Sequence, residues 1–351
     1  MQKACKENRK DIIDLMILNG CTDYNDGIIG ACEGGHIEIV KLMLSLGAND
    51  YNGGLYKACK EGHLKIVKML IDIGATDYNI GLICACEGGH DAVVKIMLDL
   101  GTYNYNYNYG LYYACKGGHE AVVKMMLDLG AICYNMGLYG ACEGGHLASI
   151  KMMLDLGAKE YSKGLFYVCE NGNIEIVKLM LDLGAKSYND GLYNACLGGH
   201  IAVVKMMLEF GATYYNWGLK GACEGGHLEL VKMMLDLGAN DYNRGFVCAC
   251  KGGHVEIVKM MLSLGANNYN QGLIYAYHDG HDEVIKMMIE LGSDKYDIIK
   301  YGNLALKILY RRLTGKDIYL PIVLEHPEYH LLNFYGKNIP DINRIINKYL
   351  F

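Results

Sequence analysis

The sequence has almost no proline: three residues in 351, at Pro321, Pro327 and Pro340. Nothing upstream of Pro321 therefore breaks a helix through a missing backbone N–H. Tryptophan occurs once, as Trp217, and phenylalanine five times, so 29 tyrosines carry most of the aromatic content. Long apolar runs are missing too. Lys or Asp interrupts each one before the ~18 residues a membrane-spanning helix needs, so no membrane partner is expected. There is no excess of positive charge: the net charge is −6, which gives nucleic-acid binding no electrostatic support. Residues 1–10 are polar and charged, unlike a secretory signal.

What the chain has in quantity is glycine, 45 residues, and cysteine, 14. Frequent glycine without proline or low complexity points to regularly punctuated helices. The glycines are periodic. A Gly-Gly-His step or a close variant ends at His36, His63, His90, His119, His146, Asn173, His200, His227, His254 and His281. Every interval is 27 residues except His90 to His119, which is 29. Arg9 lies one period upstream of His36. This gives ten full units (24–295) and a partial one (1–23), so self-similarity decides the architecture.

The unit from Tyr215 to Ala239 shows the physics. In its second half, Leu230, Val231, Met234, Leu235 and Leu237 form an apolar helical face, opposite Glu229, Lys232 and Asp236. Gly238 supplies a left-handed stop. In the first half, Leu219, Ala222 and Cys223 share one side at i, i+3, i+4. Asn216 is expected to cap this helix, and Gly225 and Gly226 end it. Each unit reads as a helix–turn–helix hairpin too small to bury both faces alone, so stacked neighbours must complete the core.

The run Leu55-Tyr56-Lys57-Ala58-Cys59-Lys60-Glu61-Gly62-His63-Leu64-Lys65-Ile66-Val67-Lys68-Met69-Leu70-Ile71-Asp72-Ile73-Gly74-Ala75 resembles the ankyrin repeat. The family pattern is Leu-x-x-Ala-Ala-x-x-Gly-His-x-Glu-Ile-Val-x-x-Leu-Leu-x-x-Gly-Ala. The resemblance covers residues 1–295, with departures. The family period is about 33 residues, longer than this one. The Thr-Pro-Leu-His opening is missing, and Gly54 stands in the place of Pro. The lost residues fall between Ala75 and Leu82, where the family carries a β-hairpin finger. The resemblance therefore implies an all-α, ankyrin-like solenoid without fingers. The clipped unit is similar to repeats encoded by large DNA viruses, which implies a viral source and a cytoplasmic setting.

Residues 296–351 break the period and are expected to form a helical C-terminal cap, with helices over 304–313 and 341–349. They hold 8 Lys and Arg against 5 Asp and Glu, whereas residues 1–295 hold 25 against 34. The stretch Ile339-Pro340-Asp341-Ile342 … Tyr349-Leu350 is similar to the opening of truncated F-box-like segments in viral ankyrin proteins. It is one residue short and lacks the Glu. That resemblance implies the alternative function, an adaptor delivering a captured protein to a ubiquitin ligase.

Several constellations could carry chemistry. Histidines repeated on stacked layers should lie ~9–10 Å apart, too far for two to reach one zinc at ~2.1 Å. They are expected to bond the turn backbone at the second helix's start, with Asn173 partly filling that role. Ten cysteines fill one column (Cys5, Cys32, Cys59, Cys86, Cys115, Cys142, Cys169, Cys196, Cys223 and Cys250). Disulfides need Cα atoms within ~7 Å, so these read as buried thiols in a reducing compartment. Cys84 and Cys248 fall in a column read as outward-facing. The cluster His278-Asp279-Gly280-His281-Asp282 holds possible surface-metal ligands. The Met-Met pairs read as core. No nucleophile–base arrangement stands out, so the chain is expected to be no enzyme and to need no cofactor or metal.

The remaining reading is recognition. A solenoid offers a concave face, here built from first helices. Its outward columns fall two before the unit's Leu, and one, two and five after it. In mid-chain they hold Tyr109, Tyr112, Tyr113, Met136, Tyr139, Phe166, Tyr167, Tyr193, Trp217, Lys220 and Arg244. Aromatics, Met and Arg are enriched at interface centres. The expectation is a monomeric protein-binding scaffold, its protein partner unnamed, with a footprint over about residues 107–245. The competing reading is that some of these tyrosines cover neighbouring units. The opening Tyr of each unit reads as loop packing, and the Tyr-Asn run at 103–108 as a duplication that bulges one loop.

Overall fold

The computed structural model describes residues 1–101 and 105–292. Among them the chain forms twenty-two α-helices and no strand, paired as helix hairpins. First helices such as Tyr134–Gly144 and Tyr215–Gly225 span 11 residues, and second helices such as Leu228–Asp236 span 9. No helix among the described residues is long and apolar enough to cross a membrane. Contacts divide the chain into two compact units, Met1–Ser187 and Tyr188–Phe351. Within each, hairpins stack in file as the all-α solenoid expected from the repeat. Consecutive first helices touch along their length, whereas consecutive second helices meet at few points. Each unit therefore curves toward its first-helix side. The expected tail helices at 304–313 and 341–349, and the segment 339–350, lie outside the described residues.

The core is columnar. Leu219, Ala222 and Cys223 of a first helix are fully buried, as are Leu230, Val231 and Met234 of the second. Burying each large side chain contributes about 1.5–3 kcal/mol, and much of that burial comes from the next repeat. Leu237 was read as part of this face but is 39% exposed, because it is the C-cap residue where the helix unwinds. Glycine serves two ends here. Gly226 and Gly238 adopt φ +81° and +102°, the left-handed stops expected. Gly245 lies inside a first helix, where a Cβ would sit 3.0 Å from Met261 Sδ and 3.2 Å from Cys223 Sγ. Its bare backbone is what lets the hairpin close.

An Asn in the first turn of most first helices ties that helix to the loop that opens the next repeat. Asn216 was read as a helix cap, but Tyr214 holds that position. Instead the Asn216 side-chain oxygen accepts from Asn240 N–H at 2.7 Å and Asp241 N–H at 2.9 Å, in the loop opening the next repeat. Asn25, Asn52, Asn108, Asn135, Asn189 and Asn243 make the same pair of bonds. Where a hairpin would saturate this backbone, one amide spans it. The inserted dipeptide leaves the pattern intact. Of the run expected to bulge a loop, residues 103–104 lie outside the described residues, and the chain is helical from Tyr105, with Tyr105–Gly117 spanning 13 residues.

Histidine makes the second joint, and again the partner is in another repeat. Each His stands at the N-cap of its second helix without capping it. His254 Nε2 instead lies 3.0 Å from Glu224 O, at the end of the preceding first helix. His36, His63, His119, His227 and His281 reach back 30 or 32 residues in the same way, at 2.8–3.2 Å. The carbonyl is within reach because the Gly two positions earlier lies close to it: a Cβ on Gly252 would stand 2.6 Å from Glu224 O. At Asn173 the arrangement is rebuilt. Asn173 caps its own helix, accepting from Ile176 N–H at 3.2 Å. Asn171, in the Gly column, donates across to Glu143 O and to Cys142 O.

Candidate functional site

The outward columns of the first helices do not form a uniformly open surface. Of the expected residues, Trp217, at 43%, and Arg244 are exposed. Tyr109, Tyr112, Tyr113, Met136, Phe166, Tyr167, Tyr193 and Lys220 are half-buried. Tyr139 is only 8% exposed, which departs from the outward reading of its column. Tyr167 covers it at 6.0 Å between ring centres, and the Lys163 ammonium lies 4.8 Å over its ring.

The column one after the Leu is tied down through its hydroxyls. Tyr56 donates to Asp77, Tyr112 to Glu143 and Tyr139 to Glu160. Tyr193 donates to Glu224 at 3.1 Å. Each bond crosses to the next repeat, so these rings brace the stack as well as line the face. Burial first, then the acceptor carboxylate, pushes the Tyr112 phenol up. The tyrosines contribute ring faces and edges to the surface, with their polar tips already engaged.

The column five after the Leu forms a ladder of opposite charges that the sequence reading did not single out. Lys6 pairs with Glu33 at 2.7 Å, Lys60 with Glu87 at 2.9 Å, Lys116 with Glu143 at 2.7 Å, and Lys251 with Glu224 at 2.8 Å. Alternation of Lys and Glu at one repeat spacing was the signal that could have revealed it. Burial by itself would raise the Glu224 carboxyl. The Lys251 ammonium and the Tyr193 hydroxyl outweigh it and hold the group below its ordinary value.

In the first unit the aromatics gather in two groups. Tyr112 and Tyr113 meet edge to face at 5.0 Å, and Phe166 meets Tyr167 the same way at 5.2 Å. In the second unit Tyr193 and Trp217 meet at 5.9 Å, with Lys220 over both rings at 4.9 and 5.8 Å. Beside them an open groove of about 700 Å³ runs across four first helices. Its walls include Tyr193, Lys220, Arg244, Lys251 and Tyr275. Cys248 lines it but is only 8% exposed, so its column is not outward there, and burial pushes the thiol up to about 11.

The other candidate chemistry is absorbed by structure. The ten-cysteine column is buried, and every described cysteine is a free thiol. Burial pushes Cys32, Cys142 and Cys196 up to about 12. In the 278–282 cluster, His281 bonds Lys251 O and His278 pairs with Asp279 at 3.0 Å.

The family model described as Ankyrin repeats (3 copies) matches residues 1–81 and 219–299. A search of curated proteins finds no match. Among solved structures, the human ASB11 ankyrin repeat domain is 22% identical, covering 53% of this chain and 97% of that one, with a TM-score of 0.37. By the family match, residues 1–81 and 219–299 carry ankyrin repeats.

Proposed function

We propose that the chain is a protein-binding scaffold that captures a partner protein on the concave side of its stacked first helices. One observation carries this reading. The buried columns repeat almost unchanged, while the columns lining the first-helix face change from repeat to repeat and gather aromatics and cations. A surface under structural demand alone has no need of such variety. The side chains available to a partner are Trp217 and Arg244 in the second unit, and the half-buried Tyr113, Phe166 and Tyr167 in the first.

The test replaces Trp217, Arg244, Tyr113 and Phe166 by Ala together and compares capture of host-cell proteins with the unaltered chain. Specific capture should fall while circular dichroism stays helical. Tyr112, Tyr139 and Tyr193 go to Phe in a parallel variant, which removes the cross-repeat hydroxyl bonds and keeps the rings. Capture unchanged in the Ala variant would sink the proposal.

A further inference from the structure

We infer that the groove of the second unit takes an extended acidic segment of the partner protein. The inference rests on the scaffold reading and gives it a chemistry. Two carboxylates line the groove, and both are engaged. Glu224 accepts from Lys251 at 2.8 Å and from Tyr193 at 3.1 Å. Asp241 accepts from the Arg244 backbone N–H at 3.1 Å, at the start of its own helix. Two cations make no ion pair among the described residues, although Lys220 lies near enough to Glu224 to help hold its carboxyl down. Arg244 carries an exposed guanidinium, and the Lys220 ammonium has only ring faces beneath it.

Both groove carboxylates are thus already engaged, while the Arg244 guanidinium and the Lys220 ammonium make no ion pair. The three cations Lys220, Arg244 and Lys251 all line this one groove. A cationic segment would have to compete with Lys251 and Tyr193 for Glu224 and would face the unpaired charges of Lys220 and Arg244. A carboxylate side chain would meet a guanidinium able to bind it through two parallel N–H bonds, with a flanking apolar side chain against Trp217 and Tyr275. The net charge of −6 does not oppose this. Charges beyond about 8–10 Å are screened at ordinary salt, so the local cations decide.

The chain carries its own reporter, because Trp217 is the single tryptophan and the Lys220 ammonium lies 5.8 Å over its ring. The full-length chain is titrated with acidic, neutral and basic peptides of equal length, following Trp217 emission. Acidic peptides should bind, weaken as salt rises, and shift the emission. Exchanging Lys220→Glu with Arg244→Glu should weaken them about tenfold or more, whereas Lys232→Glu, on an outer second helix, should not. Four results overturn the inference: equal binding by the double variant, preference for basic peptides, binding of no acidic peptide, or binding of a single-stranded oligonucleotide with the same charge dependence. Loss of host-protein capture in the Ala variant with none in the charge variant leaves the scaffold standing and removes the acidic chemistry. Loss in neither removes both.

Discussion

At the scale of single residues, cohesion depends on a few side chains that each satisfy backbone in another repeat. Asn216 shields two N–H groups at once. These N–H groups belong to an exposed and a half-buried residue, where a hydrogen bond contributes about 0.5–1.5 kcal/mol net, so Asn216→Ala should lower unfolding free energy by about that amount, measured by urea denaturation. Asn216→Asp keeps the acceptor oxygens and should cost less. The thiols make a second case. Burial holds the column cysteines in the unreactive thiol form, while Cys21 and Cys133 are half-exposed. Cys84 is half-exposed as well, but burial raises its thiol, so Ellman's reagent on the native chain should label Cys21 and Cys133 first, Cys84 more slowly, and the column only on unfolding. Acid acts at Glu224. Its carboxyl sits below the ordinary 4.5, so its contribution is present above that value and is lost as pH falls through the lower folded one. Glu224→Gln should flatten the acid limb of a stability–pH curve.

At the scale of helices and turns, the sequence was legible wherever the cause was local. Leu219, Ala222, Cys223, Leu230, Val231 and Met234 fall in the core as their helical spacing demands, and Gly226 and Gly238 stop their helices as expected. It was misleading where a residue's partner is a full repeat away. Asn216 looks like a cap because capping is the local use of Asn, yet its acceptor serves backbone 24 and 25 positions on. His227 looks like a turn residue and reaches Leu197 O instead. Tyr139 looked outward because its column varies, but its neighbours Lys163 and Tyr167 close over it. The Asn171–Asn173 arrangement supplies the experiment for this scale. His254→Asn alone should lose the bond to Glu224 O and destabilise the chain by about 1 kcal/mol or more. Adding Gly252→Asn should restore part of the loss, by placing an amide where Asn171 stands.

At the scale of the whole molecule, departures from the repeat gather in residues 161–187. Ser162 replaces the Asn and makes a single bond, to Lys186 N–H at 2.9 Å. Val168 replaces the Ala, and Asn171 and Asn173 replace Gly and His. That repeat is also the last of the first compact unit. In a stack held by nearest-neighbour terms, the repeat with the weakest joints opens most often. Amide hydrogen exchange in the native state should be faster over 161–187 than over 134–160. Ser162→Asn should slow it.

The joints recur from repeat to repeat: an amide bridging 24 and 25 positions forward, and an imidazole reaching 30 positions back, or 32 across the inserted dipeptide. A chain built this way counts in whole modules. Excising 27 residues such as 216–242 leaves Asn243 in line to follow Tyr215, every amide again opposite a loop and every imidazole opposite a carbonyl. The gene can thus lengthen or shorten by unequal exchange and still encode a foldable product. The surface gains or loses one strip of its recognition face each time. The cohesive chemistry is a fixed grammar, and the outward residues are the vocabulary free to change.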